Sequence, residues 1–121
     1  MTPDSRYVYV TRPNQNQTSV IDAATNVVVA TIPGPTFDSY PRAVAINPAG
    51  TYAYIANSGN ATVSVIRTSD NTVVRTVPVG NSPIALAVSP DGSRVYVANL
   101  GDNSISVIQT SNNTVLTIFL I

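Results

Sequence analysis

The sequence predicts an all-β fold built from a repeated four-stranded antiparallel unit, and two observations predict it. The first is composition: the 121 residues include 18 Val, 10 Ile and 14 Thr, together with 9 Pro, 12 Asn and 6 Gly. Side chains branched at Cβ suit pleated strands, whereas Pro, Asn and Gly favour turns. The second is that one pattern of residues recurs three times along the chain. A chain of this length corresponds to one domain at most.

The repeat is visible in three aligned stretches, TPDSRYVYVTRP from Thr2, NPAGTYAYIANS from Asn47 and SPDGSRVYVANL from Ser89. The second and third copies lie 42 residues apart and the first two lie 45 apart. The three extra residues fall between Pro33 and Pro41. The repeats cover residues 2–46, 47–88 and 89–121 of a single segment, 1–121. A fixed period of this kind indicates a repeat architecture.

Each complete repeat reads as four short strands, A to D, separated by turns. In the second blade the predicted strands are A, Arg42–Ile46; B, Tyr52–Ala56; C, Thr62–Ile66; and D, Thr72–Val77. Four strands in about 40–45 residues are typical of one blade of a β-propeller. A β-sandwich also has short strands at similar spacing, but it does not require the same side chains to recur every 42 residues. The repeat therefore favours the propeller.

The first repeat supplies strands B to D of a first blade without strand A, plus strand A of the next blade, so the predicted strand order is BCD-ABCD-ABCD, a propeller segment of about 2.75 blades. Both faces of a blade are apolar or small: Ile84, Leu86 and Val88 alternate with Ala85 and Ala87. An arc of fewer than three blades exposes two such faces, more than soluble monomers normally show. We therefore expect the ring to be completed either by copies of the same chain, in a homo-oligomer, or by further repeats of a longer chain.

The strand-B segments VYVT (Val8–Thr11), YIAN (Tyr54–Asn57) and YVAN (Tyr96–Asn99) resemble the signature of the YVTN β-propeller repeat family. The SPDGSR turn, the SVI and NTVV strands and the VGNSP connector are similar to that family as well. The resemblance implies a bacterial or archaeal surface or secreted protein, located at the cell surface, outside the cell or in the periplasm. Related propellers include lactonase-type and haem d1-type proteins, so the resemblance implies no single function.

Turn chemistry explains several repeated residues. In Ser-Pro-Asp-Gly, Pro fits a turn position, Asp can accept hydrogen bonds from nearby backbone and Gly can adopt positive φ. Ser5 replaces this Gly in the first copy, which predicts a less favourable turn. The Asn residues that end strand B, Asn57 and Asn99, and those that open strand D, such as Asn71, are expected to bond to the backbone.

The charged residues are six Arg and six Asp, with no Lys, Glu, His, Cys or Trp and zero net charge. Thiolate nucleophiles, imidazole bases, disulfides and the common zinc sites are thereby excluded. Dispersed arginines form no basic stripe, so the sequence predicts no nucleic-acid partner. It also shows no signal peptide and no apolar run of membrane-spanning length. No cofactor and no metal site are predicted.

Candidate binding residues lie on the face that carries the D-to-A and B-to-C connectors, because departures from the repeat concentrate there. They are Arg12, Phe37, Asp38, Tyr40, Arg42 and Asp102. Arginine beside exposed aromatic rings and a carboxylate favours recognition of a peptide, a glycan or an anionic small molecule. The alternative is that Phe37 and Tyr40 cover a blade junction and that Arg12 is a solvated surface charge.

Two functions remain open at this point. The sequence favours a non-enzymatic binding or surface-structural module that recognises a protein, a glycan or another ligand through one loop face. The alternative is a fragment of a larger propeller enzyme or redox protein, lactonase-like or linked to haem or copper, with its catalytic residues outside these 121 residues. Propeller enzymes of those kinds use His, Glu or metal ligands, and this chain has neither His nor Glu.

Overall fold

A computed structural model describes all residues, 1–121, and contains three antiparallel sheets. Blade 1 consists of β1 (Tyr7–Arg12), β2 (Gln17–Asp22) and β3 (Val27–Pro33). Blade 2 consists of β4 (Pro41–Ile46), β5 (Tyr52–Asn57), β6 (Thr62–Arg67) and β7 (Thr72–Pro78). Blade 3 consists of β8 (Pro83–Val88), β9 (Arg94–Asn99), β10 (Ser104–Gln109) and β11 (Thr114–Leu120). The prediction of an all-β propeller segment with eleven strands is confirmed.

The strands of each blade follow one another in sequence order and pair antiparallel. Each strand of blade 2 is one residue longer than predicted, because the flanking Pro41, Asn57, Arg67 and Pro78 also join the ladder. A register shift recurs between the last two strands of each blade, after Val20, Val65 and Val107. Such a bulge bends the outer strand and increases its twist. The three sheets therefore share the same sequential strand order and the same bulge before the last strand.

The turn before strand B, that is before β1, β5 and β9, behaves as its sequence predicts. Gly50 and Gly92 both have a φ of 75°, and Ser5 takes the same left-handed conformation with a φ of 61°. A residue with a side chain pays a conformational cost there. In blade 3 the Oδ1 atom of Asp91 accepts hydrogen bonds from the backbone N–H of Ser93 at 3.0 Å and from the hydroxyl of Ser89 at 2.7 Å.

The Asn residues that end strand B donate hydrogen bonds to side chains and not, as had been expected, to the backbone. Asn57 donates its amide to the hydroxyls of Ser64 at 2.9 Å and Thr62 at 3.1 Å. Asn99 donates in the same way to Ser106 at 2.9 Å and Ser104 at 3.0 Å. These amides therefore link the second and third strands of a blade through side chains. The prediction was wrong because it considered only short-range bonds and not the hydroxyls opposite in the ladder.

The Asn residues that precede the last strand of each blade have left-handed backbone conformations. Their φ values are 57° at Asn26, 56° at Asn71 and 55° at Asn113. Asn tolerates this region better than most residues, so the turn explains its recurrence. In one case the side chain has a further partner: the hydroxyl of Tyr9 in blade 1 donates a hydrogen bond to Oδ1 of Asn71 in blade 2.

The core of the protein lies between blades. One apolar cluster joins blade 1 to blade 2 and contains Tyr9, Val20, Ile32, Ala53, Ile55 and Ile66. A second joins blade 2 to blade 3 and contains Tyr54, Val63, Val65, Val77, Val95, Val97 and Ile108. Both clusters are therefore interfaces between sheets, as expected when each sheet buries its two faces on neighbours. The structure has no helix that is long and apolar enough to cross a membrane.

Candidate functional site

The most distinctive connector is the segment Gly34–Tyr40 between β3 and β4, here called the Phe37 loop. Its two ends are fixed to neighbouring loops by backbone hydrogen bonds. The N–H of Gly34 donates to the carbonyl of Asn16 at 2.9 Å, and the N–H of Gly59 donates to the carbonyl of Ser39 at 2.8 Å. The loop therefore bridges blade 1 and blade 2 on the face that the repeat predicted.

Side chains fix the middle of the Phe37 loop. Asn16 donates its amide to the carbonyl of Thr36 at 2.7 Å and accepts from the N–H of Tyr40 at 3.2 Å. Asn60 donates to the hydroxyls of Thr36 and Ser39, at 3.0 and 3.1 Å. Ser39 is buried and accepts from the N–H of Thr36 at 2.8 Å. This network joins the middle of the loop to residues of both blades.

The aromatic residues of the loop lie on its outer surface. The side chain of Phe37 is 98 % exposed, more than any other large apolar side chain in the protein. The guanidinium carbon of Arg42 lies 5.6 Å from the centre of the Tyr40 ring, within the range of a cation–π contact. The Tyr40 hydroxyl donates to Oδ1 of Asn14 at 3.4 Å. Phe37, Tyr40 and Arg42 thus form an aromatic and cationic surface on a fixed loop.

The backbone of Tyr40 has an unusual conformation. Tyr40 has a φ of 51°, in the left-handed region that bulky residues rarely occupy. Ser82 occupies the equivalent position before β8 and has a φ of 53°. The connector therefore imposes this conformation in both blades, and blade 2 alone carries an aromatic side chain there.

Arg12 ends β1 at the position that Asn57 and Asn99 occupy in the other blades. Those Asn residues are buried and pair in the ladder with Pro41 and Pro83, in the first strand of their own blade. β1 has no strand on that side, so Arg12 is exposed. It lies two residues before Asn14, which contacts Tyr40, so it is on the same loop face, but no hydrogen bond or cation–π contact joins Arg12 itself to Tyr40 or Arg42.

The two candidate carboxylates are in different surroundings. Asp38 is in the Phe37 loop, where its Oδ1 accepts a hydrogen bond from the Thr36 hydroxyl at 3.2 Å. Asp102 lies at the other junction, where its Oδ2 accepts from the N–H of Asn81 at 3.2 Å and its Oδ1 accepts from the Ser104 hydroxyl. Those two hydrogen bonds, that of Ser104 first, lower the pKa of Asp102. Asp38 thus lies in the same loop as Phe37 and Tyr40 but forms no ion pair with Arg42, whereas Asp102 fixes the connector between blades 2 and 3.

Sequence reasoning did not single out Asn14, Asn16, Ser39 and Asn60, which hold the loop and position Tyr40. Asn16 and Asn60 were visible as residues of the B-to-C loops, next in space to the three-residue insertion. A search for polar partners of the inserted residues would have found them.

Charges are sparse across the surface. The only ion pair joins Arg67 to Asp70 at 2.7 Å, and its Arg67 hydrogen bond holds the pKa of Asp70 well below its usual range. Arg12 and Arg42 have no carboxylate within ion-pair distance. The structure places no three carboxylates together in a way that could hold a metal ion. The candidate surface therefore carries two cationic groups that are free to meet an anionic group.

A second concave region lies on the opposite face of blade 3, formed by the turns before β9 and β11. It is an open cleft of about 430 Å³ whose walls include Asp91, Arg94, Gln109 and Ser111. Hydrogen bonds from Ser93 and Ser89 lower the pKa of Asp91 to about 2, so this carboxylate is ionised at neutral pH. An ionised carboxylate that its own turn already satisfies is poorly suited to proton transfer.

The fold has close counterparts among solved structures. Hydrazine synthase from Kuenenia stuttgartiensis superposes with a TM-score of 0.94 and 27 % sequence identity, over 100 % of this chain and 34 % of that one. A putative 6-phosphogluconolactonase from Bacteroides fragilis gives a TM-score of 0.85 at 16 % identity, over 100 % of this chain and 38 % of that one. The chain forms part of a β-propeller.

A virginiamycin B lyase from Staphylococcus aureus also matches, with a TM-score of 0.83 at 20 % identity, over 99 % of this chain and 39 % of that one. This chain thus spans between about a third and two fifths of the length of the propeller proteins that it matches. Neither a protein-family model nor a curated protein sequence matches it. Membership of the YVTN repeat family stays a prediction.

Proposed function

We propose that this propeller segment is a non-enzymatic binding module that recognises a protein or glycan ligand through the Phe37 loop. The observation that carries the proposal is the near-complete exposure of Phe37 on a loop fixed by hydrogen bonds at both ends and in its middle. Aromatic and arginine side chains are enriched in the central contacts of protein interfaces, and Phe37, Tyr40 and Arg42 supply both kinds on one loop face. A loop that is already ordered loses little conformational entropy on binding.

The chemistry of the surface suggests what it binds. Phe37 and Tyr40 offer flat apolar area, and Arg42 and Arg12 offer cationic groups without carboxylate partners. Arginine binds carboxylates in two-point geometry, and aromatic rings stack on peptide side chains or on sugar rings. A peptide segment that carries an acidic residue beside an apolar one fits this surface best.

Two observations support a role other than catalysis. The chain lacks His, Cys, Glu and Lys, which leaves Asp as its only carboxylate. Hydrogen bonds lower the pKa of Asp4, Asp70, Asp91 and Asp102 below the ordinary value, whereas a general acid at neutral pH needs a raised pKa.

A selection from a phage-displayed peptide library tests the proposal. The wild-type chain is the target, and the selected peptides are then measured against a variant with Phe37→Ala, Tyr40→Ala and Arg42→Ala. We expect binding to weaken at least about tenfold, as the loss of an aromatic and arginine hot spot implies. The control is Arg94→Ala with Tyr52→Ala on the opposite face, which should leave binding unchanged. Peptides that bind wild type and the triple variant equally would contradict the proposal.

A second candidate is a part of a larger propeller enzyme. This candidate is favoured by the small share of each related protein that the chain matches. The chain spans 34 % of a hydrazine synthase chain and 38 % of a putative phosphogluconolactonase chain. Reading the coding sequence on both sides of this segment tests that candidate. Further repeats together with a His- or Cys-bearing segment would favour the enzyme, and the Phe37 loop would then be a surface of that enzyme.

Two finer proposals accompany the main one. We infer that further blades, from copies of this chain or from additional repeats, complete the ring, because both end blades expose apolar faces. We also infer a location outside the cytoplasm, at the cell surface or in the periplasm, and the YVTN-like strand segments support it. Fractionation of cells that produce the tagged native gene product would test the location.

A further inference from the structure

A cleft of about 320 Å³ lies between blades 1 and 2, on the face opposite the Phe37 loop. Strands β1 and β3 of blade 1 form one wall, and the turn between β6 and β7 of blade 2 forms the other. Its volume is at the lower end of the roughly 300–1,000 Å³ typical of small-molecule sites. This cleft, here called the Tyr7 cleft, is lined by Tyr7, Tyr9, Val29, Thr68, Ser69 and Asn71.

The Tyr7 cleft belongs to the junction between two blades that are both present in the segment. A strand A for blade 1 would pair with the free edge of β1, on the side away from β2 and β3. The other wall, the turn of blade 2, is internal to the sequence. Further repeats before or after the segment would therefore leave the cleft in place.

Hydrogen bonds fix both walls of the cleft. The hydroxyl of Tyr9 in blade 1 donates to Oδ1 of Asn71 in blade 2, which ties the two walls together. The hydroxyl of Thr68 donates to the carbonyl of Gly50 at 2.6 Å, which holds the turn against its own blade. A ligand in the cleft would therefore meet side chains that are already positioned.

Three polar groups of the wall have no hydrogen-bond partner within the chain. They are the hydroxyls of Tyr7 and Ser69 and the Nδ2 amide of Asn71, whose Oδ1 already accepts from Tyr9. A hydroxyl can both donate and accept a hydrogen bond, whereas Nδ2 can only donate. The cleft therefore offers neutral donors and acceptors beside a tyrosine ring.

No charged side chain lines the Tyr7 cleft. Asp70 is in the same turn but lies outside the wall, and it forms the ion pair with Arg67 at 2.7 Å. Arg6 also lies outside the wall, and its guanidinium carbon is 5.2 Å from the centre of the Tyr7 ring. The clefts beside Asp91 and Arg67 do contain charged groups. The chemistry of the Tyr7 cleft therefore suits a neutral ligand.

We propose that the Tyr7 cleft binds one pyranose residue of a neutral carbohydrate. Aromatic rings offer flat apolar area against which the C–H groups of a sugar can pack, and Tyr7 supplies such a ring. Sugar hydroxyls both donate and accept, so they match the hydroxyl of Ser69 and the amide of Asn71. Because both walls are already fixed, little conformational entropy is lost on binding. This site is separate from the Phe37 loop.

The second junction provides an internal control. Tyr54 and Asn113 occupy there the positions that Tyr9 and Asn71 occupy at the first junction, but Oδ1 of Asn113 is buried without a partner. No cleft has Tyr54 or Asn113 in its wall. Sugar binding is therefore expected at the first junction and not at the second.

Titrations followed by amide chemical shifts in NMR spectra test the proposal. The probes are the methyl glycosides of glucose, galactose, mannose and N-acetylglucosamine, the oligosaccharides cellotetraose and chitotetraose, and a phosphorylated glucose. Ser69→Ala removes one hydroxyl of the wall, and Asn71→Asp removes the Nδ2 donor but keeps an acceptor for Tyr9. Ser111→Ala, at the equivalent exposed position in blade 3, is the matched control. The variant with Phe37→Ala, Tyr40→Ala and Arg42→Ala distinguishes this site from the Phe37 loop.

We expect at least one methyl glycoside to shift the amides of Tyr7, Ser69 and Asn71 at millimolar concentration. Ser69→Ala and Asn71→Asp should each weaken binding by about fivefold or more, because each removes a hydrogen bond to the sugar. Ser111→Ala and the Phe37-loop variant should bind as wild type does. Tighter binding of a tetrasaccharide than of its methyl glycoside would identify a glycan chain as the source of the sugar, and equal affinity would identify a free saccharide.

Four results would overturn the proposal. They are the absence of shifts at these amides with every probe, shifts in the Phe37 loop instead, tighter binding of the phosphorylated sugar than of any neutral one, and unchanged affinity in both cleft variants.

Discussion

Blades 1 and 2 are joined by the Phe37 loop, whereas blades 2 and 3 are joined by the shorter segment Val79–Ser82. Both connectors begin with a backbone hydrogen bond to the preceding B-to-C loop, Gly34 to Asn16 and Val79 to Ala61, each at 2.9 Å. Both end with a residue of positive φ. The three inserted residues therefore extend outward between anchors that are the same in the two junctions.

The comparison of the two connectors distinguishes residues that pack the blades together from residues that are available to bind a ligand. The apolar residues beneath the two connectors are equivalent, so packing does not require an insertion at the first junction. The short connector is fixed by Asp102 and Ser106, which accept from the N–H groups of Asn81 at 3.2 Å and Gly80 at 3.2 Å. The long one needs Asn16, Ser39 and Asn60 to hold it, and it exposes Phe37. The additional polar network thus positions residues that stability alone does not need.

The largest expected effect tests whether the two junctions are equivalent in packing. Ile66→Ala in the first junction and Ile108→Ala in the second remove fully buried side chains at the same position. Each should lower the free energy of unfolding by about 3 kcal/mol through lost burial and a cavity. Urea denaturation followed by far-UV circular dichroism gives both values. Losses that differ by more than about twofold would show that the junctions pack differently.

The next effect distinguishes the connectors. A Cβ atom on Gly59 would lie 2.0 Å from the carbonyl oxygen of Asp38, which is backbone, whereas one on Gly101 would lie 2.9 Å from the Cβ of Asn81. Gly59→Ala should therefore lower the free energy of unfolding by about 2 kcal/mol and Gly101→Ala by about 1 kcal/mol. Hydrogen exchange should also show faster exchange in the Phe37 loop of Gly59→Ala. Equal losses with unchanged exchange would contradict the close approach.

The smallest effect concerns one hydrogen bond. The Tyr9 hydroxyl bonds to Asn71, whereas at the second junction Oδ1 of the equivalent Asn113 is buried without a partner. Tyr9→Phe should lower the free energy of unfolding by about 1 kcal/mol, and Tyr54→Phe should have little effect. Thermal unfolding of the two variants, compared with wild type, measures the difference. Similar losses in both would mean that Tyr54 and Asn113 also form this bond in solution.

Much of the fold could be predicted because the repeat presents each strand three times. The strand position of Tyr9 is ambiguous when its own repeat is considered alone. The equivalent residues Tyr54 and Tyr96 in the other two repeats establish it. The site was harder, because an insertion has no second copy to compare. The sequence indicates that the chain between Pro33 and Pro41 is unusual, but the positions of Phe37 and Tyr40 depend on hydrogen bonds from Asn16 and Asn60. Those residues belong to two different blades and come together only after the blades pack.

The Asn residues at the ends of the second strands illustrate the same limit. Asn57 and Asn99 look like turn residues when only their neighbours in sequence are considered. Their partners, Ser64 and Ser106, are seven residues away and become close only when the ladder forms. Short-range reasoning therefore assigned the right residue types to the wrong interaction.

The free edge of β1 has a consequence for solubility. An edge strand offers unpaired backbone groups to any other extended chain, and proteins commonly protect such edges with charged residues and proline. β1 ends with Arg12 and is followed directly by Pro13, which has no N–H to donate. The same arginine that was predicted as a binding residue thus also protects this edge as long as no further strand pairs with it, so a hydrophobic residue in its place would favour aggregation of the 121-residue segment.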